Sequence, residues 1–190
     1  MSYERIKFQI TGVSPLVMHN GQLANPLNSF SQDLKRISGK RTKTEADFER
    51  MAKIEFLGGL YLFNGEPCIP GEVIEATFIE ASKKRKRGQQ AKAGIIADAM
   101  FPLQYKGPKA PEELWTDERF RLTVGVKIQR NRIMRTRPIF RDWTAEIFLD
   151  YLPTILNRSE IVDIVKLVGA EVGVGDWRPR FGRFDVEVVQ

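Results

Sequence analysis

Arg119-Phe120-Arg121-Leu122-Thr123-Val124-Gly125-Val126-Lys127-Ile128 is the clearest strand in the chain: its even-numbered residues are all apolar, while Arg119, Arg121, Thr123, Gly125 and Lys127 fall between them. Successive side chains of a strand point to opposite faces, so this alternation marks a sheet with one buried face. Its neighbours decide the fold. Upstream, Ile6, Phe8 and Ile10 alternate with Arg5, Lys7, Gln9 and Thr11 until Gly12 and Ser14-Pro15 break the pattern. Downstream, Trp143, Ala145, Ile147, Leu149 and Tyr151 mark a third strand, and Phe184, Val186 and Val188 a fourth. Two helices fall between the strands. One covers about 72–82, with Ile74, Thr77, Phe78 and Ala81 on one face. The other is capped by Ser159, carries Ile161, Val162, Ile164, Val165 and Val168, and ends at Gly169 or shortly after. Strand, helix, strand, strand, helix, strand is the ferredoxin-like (RRM-like) order, an α+β fold with an antiparallel sheet and helices on one face. The expected core strands are about 3–13, 119–128, 143–151 and 183–189, in a single domain, 1–190, decorated by insertions at 14–69, 83–118 and 129–142.

The insertions have their own signals. From 14 to about 43 the sequence is loop-like, rich in Asn, Ser, Gln and Gly. Thr44 then caps a helix, with Asp47 in the reciprocal capping position, Phe48, Met51, Ala52 and Phe56 as its apolar face, and Gly58-Gly59 as its stop. Asn64-Gly65 between two apolar runs predicts a hairpin, because both turn residues need positive φ. A further helical stretch is expected near 90–100, then a Pro-rich loop, and a protruding hairpin over 129–142.

The 190 residues are 42% hydrophobic and 28% charged, a balance that does not suggest disorder, and no apolar run approaches the ~20 residues that span a bilayer. The N-terminus passes straight into a strand pattern without a signal-peptide core, so a cytoplasmic protein is expected. Cys68 and His19 are the only cysteine and histidine. That excludes an internal disulfide and an ordinary zinc site, and no metal or cofactor is expected.

A formal charge of +6 points to a polyanionic partner less than its distribution does. In Gly173-Val174-Gly175-Asp176-Trp177-Arg178-Pro179-Arg180-Phe181-Gly182-Arg183, three glycines allow close backbone approach, amides and arginines can hold phosphate, and Trp177 can stack on a base or an arginine. The same loop also fits a tight structural turn. Arg130, Arg132, Arg135 and Arg137, interleaved with Ile133 and Met134, suit backbone binding with an apolar wedge, or a charged strand edge that resists aggregation. Lys83-Lys84-Arg85-Lys86-Arg87 reads as a phosphate patch or a solvated helix end. His19, followed by Asn20 and Gly21, is a candidate general base, and Asp33 a weaker candidate carboxylate; both also fit plain loop roles. Phosphate-loop, nucleophile-elbow and dinucleotide motifs are absent.

With Gly12-Val13-Ser14-Pro15-Leu16 before His19-Asn20-Gly21, Ile69-Pro70-Gly71-Glu72-Val73-Ile74 opening a helix, an excursion in the position of a thumb hairpin, and the glycine-rich loop before the last strand, the chain resembles the RAMP superfamily. These are the RNA-binding subunits and RNA-processing proteins of CRISPR antiviral systems. Glu72 and Glu75 stand where Ser and Lys or Arg are usual, and Asp176-Trp177-Arg178-Pro179 is inserted between the glycines of the loop. The resemblance implies a divergent or phage-encoded backbone subunit. It would grip single-stranded RNA, or DNA, without catalysis, alongside copies of itself or other effector subunits and away from membranes. A metal-independent processing endoribonuclease using His19 and a phage structural or DNA-contacting protein are the alternatives.

Overall fold

The structure is a computed structural model and describes residues 2–128 and 131–189. In chain order its elements are β1 (Glu4–Gly12), β2 (Leu16–Val17), α1 (Ser29–Ser38), α2 (Glu45–Gly59), β3 (Leu62–Phe63), β4 (Glu66–Pro70), α3 (Gly71–Lys84), α4 (Gly88–Gly94), β5 (Ile95–Ile96), β6 (Met100–Pro102), α5 (Pro111–Thr116), β7 (Arg121–Ile128), β8 (Asn131–Phe140), β9 (Thr144–Tyr151), α6 (Arg158–Leu167) and β10 (Phe184–Val188). Among the described residues these are six helices and three antiparallel sheets, ordered β10-β1-β9-β5, β2-β8-β7 and β3-β4-β6. No helix among them is long and apolar enough to cross a membrane.

The alternation of β1 and β9 builds the core directly. Their register sets Ile6 opposite Leu149, Phe8 opposite Ile147 and Ile10 opposite Ala145, so all six side chains share one face, and all six are buried. Each large one contributes roughly 1.5–3 kcal/mol of hydrophobic stabilisation. Ile74, Phe78 and Ala81 of α3 and Ile161, Ile164 and Val165 of α6 complete the same cluster. Across the sheet, the Arg5 guanidinium lies 3.8 Å over the Phe148 ring and pairs with Asp150 at 2.7 Å.

The expected second core strand sits elsewhere. β7 pairs with β8 along its whole length, Arg121 opposite Pro138 through Ile128 opposite Asn131. β2 covers the other edge of β8, with Leu16 opposite Phe140 and Val17 opposite Ile139. The position beside β9 belongs to β5, whose two residues face Tyr151 and Asp150. A hairpin closes local contacts at little loop-entropy cost, and the excursion at 129–142 supplies β7 with a partner of matching length. The insertion boundaries therefore shift: 83–118 contains a strand of the four-stranded sheet, and 129–142 contains half of the hairpin.

Other corrections are local. The stretch read as loop before Thr44 contains α1, started by the Asn28 carboxamide accepting from the Phe30 amide at 2.9 Å and buried at Ile37. The helix expected over 90–100 stops at Gly94, whose carbonyl accepts from the Leu152 amide at 2.9 Å as Ile95 turns extended onto β9. Asn157, not Ser159, caps α6: its side chain accepts from the Glu160 amide at 2.9 Å, and Glu160 accepts from the Asn157 amide at 3.0 Å. The Thr44–Asp47 capping box forms as expected, but α2 buries Ile54, Glu55 and Phe56 and leaves Phe48 exposed. Asn64 and Gly65 take φ of 51° and 81°, the hairpin turn that the dipeptide predicts.

Candidate nucleic-acid interface

After α6 the chain makes a π turn, Val168–Val172, and reverses through Gly173, Gly175 and Gly182 at φ of 76°, 83° and 76°. The loop is fastened to the segment that follows β1. The Gly182 amide donates to the Pro15 carbonyl and the Asp176 amide to the Val17 carbonyl, both at 2.8 Å, while the Val174 amide donates to the Gly182 carbonyl at 2.9 Å. A Cβ on Gly175 would run into the Val17 carbonyl, and one on Gly182 into that of Val174. These amides are spent inside the protein. The glycines bring two backbones together and so carry Asp176, Trp177 and Arg178 to the neighbourhood of His19.

Trp177 itself has φ of 53°, a region bulky residues rarely adopt and one that costs of order 1–3 kcal/mol. It is half-buried, with the Arg137 guanidinium 5.7 Å from its ring centroid and the Phe181 ring at 6.2 Å. Its exposed side forms one wall of a cleft of about 560 Å³ that also touches α1, α2 and the β7–β8 hairpin. Leu23, Leu34, Met51 and Val126 give the cleft apolar walls, beside His19.

Arg135 and Arg137 enter this cleft already partnered. Glu55, only 4% exposed, accepts from Arg135 and, at 2.9 Å, from the Thr136 amide. Arg137, 9% exposed, donates through Nε to Asp176 at 3.1 Å. With Lys35, three cations thus meet two carboxylates, and the interior is close to neutral. Burial, and then the charge of Arg137, hold the His19 pKa below its ordinary value, so the imidazole is neutral at pH 7. Among the described residues its Nδ1 is buried without a hydrogen-bond partner, and its carbonyl accepts from the Tyr61 hydroxyl at 3.1 Å.

Other exposed positive charge lies outside the cleft lining. Lys127 and Arg132 face each other across the hairpin and are exposed, next to exposed Ile133 and Met134. Arg180 is exposed with its guanidinium 5.5 Å from the Phe181 ring centroid, and Arg183 is exposed with its amide donating to the Ser14 hydroxyl at 2.9 Å. Arg178 pairs with Glu80 at 3.0 Å and borders a second cleft of about 320 Å³ in which Glu72 and Asp176 disfavour phosphate.

The remaining candidates are not gathered here. Asn20 has a structural task, accepting from the Gln22 amide and donating to the Leu60 carbonyl, each at 3.0 Å. Asp33 lies on α1, not in a loop, and pairs with Arg36 at 2.6 Å. Lys83, Lys84, Arg85, Lys86 and Arg87 lie at the C-terminal end of α3, about 20 Å of helix from the end that borders the second cleft. Arg130 lies outside the described residues. Among those residues no group of three or more His, Cys, Asp or Glu is placed to hold a metal. Burial pushes the Cys68 thiol up to about 11, far from the range of a reactive thiolate. Glu55 and Asp176 were not foreseen, because their arginines lie 80 and 39 residues away in sequence. The one visible signal was an acid, Glu55, set between Ile54 and Phe56 on a helix face that must pack.

Compared with known proteins, the chain matches no family model and no curated protein.

Proposed function

We propose that this chain is a non-catalytic nucleic-acid-binding subunit of RAMP type, built on a single ferredoxin-like domain, that holds single-stranded RNA across the β7–β8 hairpin. The observation that carries this reading is the convergence on one cleft of three segments distant in sequence: His19 after β1, Arg135 and Arg137 of β8, and Trp177 of the glycine-rich loop. The strand order β10-β1-β9-β5, with α3 leading from β1 to β5 and α6 from β9 to β10, supports the ferredoxin-like assignment. The division of charge suggests how a strand is held. A near-neutral cleft with an indole wall suits a base, whose stacking on an aromatic is worth about 1–3 kcal/mol. Outside the cleft, exposed Arg180 beside the Phe181 ring and exposed Lys127 and Arg132 on the other face of the hairpin suit backbone phosphates of a strand that wraps around it.

The test is anisotropy of a labelled single-stranded RNA at several salt concentrations. Affinity should fall with a log–log slope of about −0.7 per neutralised phosphate. Arg132→Gln with Arg180→Gln should flatten that slope, and Trp177→Ala should weaken binding at every salt concentration. No binding, or a response indifferent to salt, would sink the reading. The neutral imidazole of His19 beside Arg137 favours one second reading, metal-independent RNA cleavage, for which a specific cut in EDTA that disappears in His19→Ala is the signature.

A further inference from the structure

The basic run 83–87 is divided by the fold into two sets with different tasks. Lys84 pairs with Glu171 at 2.7 Å and Arg87 with Glu160, tying the end of α3 to α6 and the π turn behind it. Lys83 and Lys86 face the other way, into a concavity between α3 and α4 that Lys92 closes from α4. Ile79, Gly88 and Gln89 complete its lining, and no carboxylate is among them. Two backbone features bring the lysines to the same turn. A Cβ at Gly88 would lie 2.8 Å from Lys83 Cγ, so the absence of a side chain there lets the lysine stem lie across the turn. Lys86 takes φ of 57° as the left-handed residue that closes α3, its amide donating to the Lys83 carbonyl at 3.0 Å and the Arg87 amide to the Ser82 carbonyl at 2.9 Å, and this reversal turns the chain into α4.

Three ammonium groups around one concavity repel each other, and no acid on its lining offsets them. A basic run selected only for a solvated helix end would gain from spreading outward. A backbone phosphate, with a single charge, answers one lysine. A group of condensed phosphates, carrying three or more negative charges within a few ångströms, answers all three, and ammonium groups bind phosphate as mobile point charges without a fixed approach. We propose that the α3–α4 pocket binds a di- or triphosphate group. Two sources present that chemistry: a free nucleoside triphosphate and the 5′-triphosphate end of an RNA. The site lies at the opposite end of α3 from the His19 cleft and does not rest on the function proposed for that cleft.

Calorimetric titration of the full chain with inorganic tripolyphosphate at low salt tests this. Saturable one-to-one binding is expected, weaker for pyrophosphate and weakest for monophosphate. Each of K83Q, K86Q and K92Q should cost roughly tenfold in affinity, the size of one charged hydrogen bond lost. R85Q, on the same run but outside the pocket, should cost little. Because these side chains are exposed, the single variants should keep the wild-type melting temperature. Trp177→Ala should leave tripolyphosphate binding unchanged, which keeps this outcome separate from that of the cleft. A tripolyphosphate affinity no greater than that of monophosphate, or one equal in wild type and in K83Q, K86Q and K92Q, overturns the proposal. The source follows from two further titrations. A 5′-triphosphorylated RNA that binds tighter than both its 5′-hydroxyl twin and ATP identifies a strand end. ATP that binds as tightly as the triphosphorylated RNA identifies a free nucleotide.

Discussion

Arg135 and Arg137 reach their cleft held by Glu55 and Asp176, whereas Lys83, Lys86 and Lys92 surround theirs with no acid on the lining. The difference teaches what each surface costs the fold. Paired arginines are part of the folded structure: Glu55 also satisfies the Thr136 amide, so removing it disturbs packing and hydrogen bonding together. The lysines are exposed and form no ion pair among the described residues, so they add little to folding. One surface is rigid and near neutral, suited to shape; the other is compliant and strongly positive, suited to charge.

Glycine substitutions should separate the two surfaces most widely. Gly182→Ala combines positive φ with a collision against the Val174 backbone carbonyl, which cannot move aside. A loss of about 3 kcal/mol or more in urea denaturation is expected. Gly88→Ala meets only a lysine stem, so stability should stay within about 1 kcal/mol while tripolyphosphate affinity falls. Equal stability losses at the two glycines would erase the contrast between rigid and compliant surfaces.

Charge removal comes next in size. Glu55→Gln leaves Arg135 unpaired on a partly buried strand and should cost about 2–3 kcal/mol in the same assay. Lys83→Gln with Lys86→Gln should change stability by less than about 0.5 kcal/mol, and in the favourable direction. If the lysine variant were the less stable, those amines would have structural partners after all.

The smallest effect is a pH dependence. His19 has a folded pKa below its unfolded value, so the unfolded chain takes up the proton first as pH falls. Its contribution is complete above the unfolded value of about 6.5 and is lost as pH drops through the lower folded value. Denaturation midpoints should therefore fall between pH 7.5 and 5.5 in wild type, and less so in His19→Gln.

How much of this was legible depended on how far each signal reached along the chain. β1 and β9 were visible because alternation reports the buried face within the strand itself, and the Thr44 and Asn64-Gly65 signals act over three residues or fewer. β7 was equally visible as a strand, but alternation does not name the neighbour, and the two residues of β5 carry too little pattern to claim the edge of β9. The same limit applied to charge. The arginines of β8 announced themselves, while their neutralisation by Glu55 and Asp176 depends on how α2 and the glycine-rich loop pack. Asn157 and Ser159 are both residues that can cap a helix; the reciprocal bond with Glu160, three residues after Asn157, separates them.

The brevity of β5 also bears on what happens when many copies of this chain are crowded together. A long bare strand edge invites another chain to add to it. Here one side of the four-stranded sheet ends in two residues, too few to template an incoming strand. The other side ends in β10, where Asp185 and Glu187 are exposed and would set like charges against each other in an antiparallel match of two copies. Resistance to cross-β aggregation is thus built into both margins of the sheet, one by shortness and one by repulsion.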